Sequence, residues 1–342
     1  LPPVLGGDKE EEFRWQFVFF RTANHASVLG LSSGDASTDH PVIPSSPFSR
    51  YALYMQRWLV ISLLSLALVT LACAQTKPRR IDVEGHRGAR WVLPENTMPA
   101  MMHAIEAGAD VLEIDLWVTK DNVPVISHDA KLNPTFCDGP EGLTRVIREL
   151  TVAEVKQFDC GARANPGFPT QKAVPGTRVP TFDEFFTQLA KYKKIRYNVE
   201  IKMDPRNPAL SPSPEEFSRL VVDVIRKHKL TKRVKVQSFV FPVLHAMKKI
   251  APEIHLSALI GSEQESFVET SKRAGGAPTV SPNYRLVTPE KVKEAHAAGL
   301  RIVAWTPNQP EDWQPLIDAG VDAIITDDPK GLVEYLKARN LH

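Results

Sequence analysis

Cysteine is scarce in this chain: its 342 residues carry three, Cys73, Cys137 and Cys160. That leaves no thiolate set for a zinc or copper centre, so a metal held here is expected to take hard oxygen ligands. A long apolar run is missing as well. The stretch from Leu59 to Ala72 is too short for a membrane span, and small residues of the kind a signal peptidase reads, Ala72-Cys73-Ala74, follow at once. Charge of one sign is also sparse. A formal net charge of +2 gives no large basic field, which argues against nucleic acid as a partner. What is present, 43% hydrophobic and 24% charged residues, is enough to bury a full core.

The amino-terminal third differs from the rest. Met55-Gln56-Arg57 precedes the apolar run, so residues 55–74 read as a signal peptide cleaved before Gln75, and the protein as exported, periplasmic or secreted. An uncleaved anchor is the alternative, because Lys77, Arg79 and Arg80 follow closely. Residues 1–54 begin with Leu, have no repeating apolar period and read as an upstream extension expected to be disordered. Loss of the leader removes Cys73; in an oxidising compartment Cys137 and Cys160 then permit one disulfide, which the sequence leaves open.

Chemistry concentrates further along. The apolar run Val111–Val118 is interrupted by Glu113 and Asp115, which alternation along a strand puts on one face, roughly 6–7 Å apart. Two carboxylates on one buried face repel unless a proton or a cation intervenes. Glu200 and Lys202 share a face in the same way within residues 197–202. Three convergent carboxylates without a thiolate suit one divalent cation, Ca²⁺ or Mg²⁺.

His86 and His128 each follow a strand-like run, and imidazoles flanking a phosphate can serve as general base and general acid. Arg87 offers a planar fork for phosphate oxygens and Lys202 a point charge beside them. The plainer reading of Arg87 is pairing with Glu84 or Glu95. Phe239 and Trp305 lie at later strand ends, as pocket or as core aromatics. Asn96 or Thr97 can cap the helix that runs to Ala107, and Asp328 before Pro329 reads as a cap outside the site.

Taken in order, Val83–Arg90 with its His-Arg-Gly, Pro94-Glu95-Asn96-Thr97, Glu113-Ile114-Asp115, Ser127-His128-Asp129 and Glu200 with Lys202 resemble the glycerophosphodiester phosphodiesterase family. Residues 237–239, 305–308 and 320–327 add further echoes, and the resemblance covers about residues 80–340. It implies His86 and His128 as the acid/base pair, Glu113, Asp115 and Glu200 as metal ligands, and Arg87 and Lys202 as phosphate holders. The expected reaction is metal-dependent hydrolysis of a small-molecule glycerophosphodiester to glycerol 3-phosphate and an alcohol. Attack by water and attack by the glycerol 2-hydroxyl through a cyclic phosphate both stay open. So do the acid and base assignments, peripheral membrane contact and oligomeric state. Competing readings are a lysophospholipase D or sphingomyelinase D-like phosphodiesterase acting on lipids, and a non-catalytic envelope binding protein on the same scaffold.

The fold can be argued independently of the family. Ala107-Gly108, Ala298-Gly299 and Ala319-Gly320 each lead from a helical pattern into an apolar strand, and further strand candidates lie at 196–202, 234–239, 254–260 and 279–284. Alternation of this kind over residues 75–342 predicts an α/β chain folded as a (β/α)8 TIM barrel, with every motif residue at the carboxyl end of a barrel strand.

Overall fold

The computed structural model describes Met55, residues 79–262 and residues 265–342. Apart from Met55, the extension and leader read over 1–74 lie outside these residues. No helix among the described residues is long and apolar enough to cross a membrane.

Strands form where β-branched and apolar residues run without a helical period. They are β1 (Asp82–Gly85), β2 (Val111–Val118), β3 (Pro124–Ile126), β4 (Arg196–Ile201), β5 (Val234–Ser238), β6 (His255–Ile260), β7 (Thr279–Pro282), β8 (Arg301–Trp305) and β9 (Ala323–Thr326). All but β3 are parallel to their neighbours, and pairing of β1 with both β2 and β9 closes the expected eight-stranded barrel. Helices cover the outside. The helix Pro214–Lys227 is typical: a Ser213/Glu216 capping box starts it, and Phe217, Val221, Val222 and Ile225 form the stripe it buries against the barrel. Gly108 and Gly320 end two helices at φ 95° and 99°, a left-handed turn that a Cβ would disfavour.

The two faces of the strands differ in kind. Outward residues such as Leu112, Ile114, Val199, Val236 and Ile302 build the main core with the helices. The inward face is polar over much of its area, with Glu84, Glu113, Asp115, Asn198, Glu200, Gln237, Ser257 and Ser281 all buried within the barrel, while Val303, Ala323 and Ile325 form a small apolar cluster there. This placement needs partners for every group, and a hydrogen-bonded chain supplies several of them. Lys235 donates to Glu84 (2.9 Å), Asn198 bridges Glu84 (2.8 Å) and Gln237 (2.9 Å), and Gln237 donates to Glu113 (3.1 Å).

One expectation is corrected. The run before His128 is not a barrel strand: β3 lies antiparallel on β2, pairing Ile126 with Leu116 and Val125 with Trp117. A tight turn dictates this, with Thr119 bonded to Val123 through both backbone and hydroxyl, and Asn122 at φ 61°. His128 therefore comes from a hairpin that folds back over the barrel mouth. Beyond it, Leu132, Ile147, Val155, Phe158 and Val179 form a small second core, pinned by a Cys137–Cys160 disulfide. Replacing both cysteines by serine is expected to cost about 2–4 kcal/mol, read as a lower urea midpoint for the non-reduced protein.

Candidate active site

Three acids meet at the carboxyl end of the barrel because β2 and β4 are neighbours in register, Asp115 opposite Glu200. Ligand oxygens of Glu113, Asp115 and Glu200 all lie within 4.8 Å of one another, and all three residues are buried. Burial, then Asp115 and Glu200, push the Glu113 carboxyl well above the usual carboxylate range. Burial raises Glu200 as well, against the pull of Lys202. Asp115 goes the other way: burial opposes ionisation, but Lys202 and Arg87 overcome it and hold Asp115 well below the ordinary value. Its Oδ1 is buried and accepts no hydrogen bond. An acceptor without a hydrogen bond, beside two carboxyls reluctant to ionise, is a donor set that fits a hard divalent cation.

The imidazoles flank this trio. His86 follows β1, and its Nδ1 lies 2.6 Å from Asp327, whose other oxygen accepts from Asn308 at 2.7 Å. A carboxylate only accepts, so Nδ1 carries the proton and Nε2 keeps its lone pair. Burial and Arg87 lower the His86 pKa, and Asp327 opposes them. His128 donates from Nδ1 to Asp129 (2.7 Å), while its Nε2 accepts from the Lys202 ammonium at 3.1 Å. Trp117 fixes the hairpin by donating to the His128 carbonyl at 2.9 Å.

Lys202, one residue past the end of β4, also reaches Glu200 at 3.0 Å and Asp115 at 3.7 Å. Arg87 donates to Glu95 (2.7 Å), lies 3.4 Å from Asp115, and sends its backbone N–H to Glu113 at 2.9 Å. The plain alternative for Arg87 is thus met by Glu95 and not by Glu84, and Arg87 still lines the cleft. Asn96 donates to Asp115 (2.9 Å), and Thr97 rather than Asn96 caps the helix Met98–Ala107. Arg87 and Asn96 both adopt positive φ, 51° and 57°, and the Asn96 N–H bonds to the Arg87 carbonyl. Left-handed backbone at non-glycine residues costs on the order of 1 kcal/mol each, strain of a kind that gathers at functional sites.

An open cleft of about 410 Å³ joins these groups. His86, Arg87, Glu113, His128, Glu200 and Lys202 line it, and its far lip is aromatic. Phe239 and Trp305 meet edge to face at 5.5 Å, with Trp305 held by the Ser281 carbonyl and Phe239 43% exposed. Cations, carboxylates and imidazoles around one small cavity suit a phosphoester.

Residues 86–331 match the glycerophosphoryl diester phosphodiesterase family. The chain belongs to this family. The glycerophosphodiester phosphodiesterase of Caldanaerobacter subterraneus subsp. tengcongensis is 33% identical over 257 residues, 75% of this chain and 97% of that protein. A solved structure from Silicibacter pomeroyi DSS-3 gives a TM-score of 0.71 at 31% identity, covering 77% of this chain and 95% of its own. A phosphodiesterase from Oleispira antarctica, solved in complex with the product sn-glycerol-3-phosphate, shares the fold, with a TM-score of 0.64 at 24% identity over 75% and 96% of the two chains. This chain is accordingly an enzyme of the glycerophosphodiester phosphodiesterase class.

Every residue expected at the site of this phosphodiesterase is gathered in or beside one cleft. Asp327, Asn308 and Gln237, which act on His86 and Glu113, fall within the echoes at 320–327, 305–308 and 237–239, to which the sequence assigns no role. Asp327 directly follows β9, the same strand-end position that singled out His86, and this signal could have given it one. Asp328 is the helix cap it was taken for, accepting from Gly331 at 2.9 Å.

Proposed function

We propose that this phosphodiesterase hydrolyses glycerophosphodiesters to glycerol 3-phosphate and an alcohol, with Glu113, Asp115 and Glu200 holding one Ca²⁺ or Mg²⁺. The observation that carries the reading is the buried acid trio, Asp115 Oδ1 without a hydrogen bond within it, flanked by two imidazoles on one cleft. When bound, the cation supplies Lewis acidity and offsets negative charge on the phosphoryl oxygens. The side chains do the rest. Arg87 and Lys202 orient the phosphodiester and stabilise its equatorial oxygens as charge builds there. His86 is the base: burial keeps it neutral, Asp327 fixes the tautomer, and Nε2 is left to take the nucleophile's proton. His128 is the acid: with substrate bound it acts as the imidazolium, its Nε2–H, taken up from solvent, turned from Lys202 to the departing alcohol; its side chain is the more exposed of the two, 31% against 15%, where an alcohol can leave. The sn-glycerol-3-phosphate bound to the Oleispira protein is the product this reading expects.

The test is a coupled assay for glycerol 3-phosphate on the metal-stripped enzyme with Ca²⁺ or Mg²⁺ added back. Glycerophosphocholine, glycerophosphoethanolamine and a lysophospholipid are the substrates. Metal-dependent release from the first two supports the reading. Turnover of the lysophospholipid alone, with a cyclic phosphate seen by phosphorus NMR, favours the lipid alternative that the exposed Phe239 suggests. No turnover of any substrate leaves the binding-module reading.

Asp327→Asn is expected to lower kcat by about 10²-fold or more, because an amide can turn its N–H₂ toward Nδ1 and disfavour the active tautomer. Asp327 raises the His86 pKa, so its loss should also move the acid limb of kcat/KM to lower pH. An unmoved limb would count against the His86 assignment. Export, read from residues 55–74, is the proposed localisation, checked by whether the mature protein begins at Gln75.

A further inference from the structure

The opposite, amino-terminal mouth of the barrel holds a second cavity, with about 630 Å³ of open space. It is lined by the first residues of several strands and is remote in kind from the acid trio: Arg196, Lys232, Arg233, Lys235 and Arg301 line it with two carboxylates, Asp82 and Glu84, and a third, Asp322, lies 3.9 Å from Arg301. Pairing does not cancel this excess of positive charge. Asp82 is shared by Arg196 at 2.9 Å and Arg301 at 3.3 Å, and Glu84 is taken by Lys235 at 2.9 Å. Arg233 donates to the carbonyls of Tyr192 (2.7 Å) and Ile195 (2.9 Å), and has no carboxylate partner among the described residues. Lys232 stands exposed at the rim.

His255, at the start of β6, holds Thr279 at 2.7 Å, and burial followed by Lys235 and Arg301 depresses its pKa to about 4. Burial is the larger cause, and the two cations add to it. A pocket with two lysines and three guanidinium groups, brought together from β4, β8 and β5 with the turn before it, suits a compact oxyanion.

We propose that the amino-terminal mouth binds a compact polyanion with at least two negative charges, of the phosphate or pyrophosphate class, at a site separate from the catalytic cleft. Arg301 contacts it from β8 and Lys232 and Arg233 from the turn before β5, with Lys235 and His255 alongside. The site stands independently of the catalytic reading.

The probe is inorganic pyrophosphate, titrated into the metal-free full chain while the His255 imidazole is followed by nitrogen-correlated NMR, with its resonance assigned from His255→Gln. The local readout keeps pyrophosphate bound at Arg87 and Lys202 from being mistaken for this site. Saturable displacement of the His255 resonances is expected, and Lys232→Glu should raise the midpoint about tenfold while shifts at His128 stay as in the parent. A His255 signal that does not saturate, or one with the same midpoint in Lys232→Glu, would overturn the proposal.

Discussion

His86→Ala and His128→Ala are each expected to lower kcat by about 10²–10⁴-fold, the range general acid–base groups supply, with the fold intact. Neither ring is part of the core. Loss of His86 leaves Asp327 with Asn308 at 2.7 Å and Arg90 at 3.5 Å, and loss of His128 leaves Lys202 on Glu200 at 3.0 Å. The two variants should part company on the leaving group. A diester whose alcohol is p-nitrophenol departs without a proton, so the defect of His128→Ala should shrink to less than about tenfold, while that of His86→Ala persists. The reverse pattern would exchange the two roles, and near-normal turnover in either variant under saturating metal would remove that residue from the mechanism.

The second large effect is expected at Glu113. Glu113→Gln keeps the shape and an acceptor for the Arg87 N–H but removes a charge from the trio, so metal affinity should fall about 10²-fold or more. Stability should move the other way in chelator. Burial and the neighbouring carboxylates raise the folded-state pKa of Glu113. The folded protein therefore keeps a proton that the unfolded chain releases, and metal-free stability falls as pH rises from the ordinary carboxylate value through the folded one. Glu200 is shifted in the same direction and adds to the slope. Glutamine cannot ionise, so the metal-free variant should melt above the parent at neutral pH, yet gain far less from added Ca²⁺ or Mg²⁺. Thermal melts with and without metal check both signs. An equal metal-induced rise in Tm for parent and variant would take Glu113 out of the ligand set.

These effects trace back to a barrel whose inside is unusually polar. Its acids are tolerated because each is tied to something: Glu113 to Gln237 and the Arg87 N–H, Asp115 to Asn96, Glu200 to Lys202. Asp115 Oδ1, which accepts no hydrogen bond, lies where the cation is proposed to sit.

Much of this could be read from the chain itself, wherever the governing distance is local. Strand alternation alone puts Glu113 and Asp115 on one face, and all eight residues of β2 are indeed buried. Helix-ending glycines at 108 and 320 mark the junctions that repeat around the barrel. His128 was legible as a strand-end residue, but not as the end of a hairpin, because pairing direction depends on a turn whose strands find each other across five residues.

What only the tertiary structure decided are contacts between groups far apart in sequence. His86 meets Asp327 across 241 positions, Lys202 meets His128 across 74, and Cys137 meets Cys160 across 23. Likewise the cations of the amino-terminal mouth are scattered from 196 to 301 and show no motif. Local periodicity sets which face of an element a side chain occupies; closure of eight strands into one ring sets which faces look at each other. Proton positions, ion pairs and the metal's surroundings are matters of a few ångströms, so they exist only once the ring has closed.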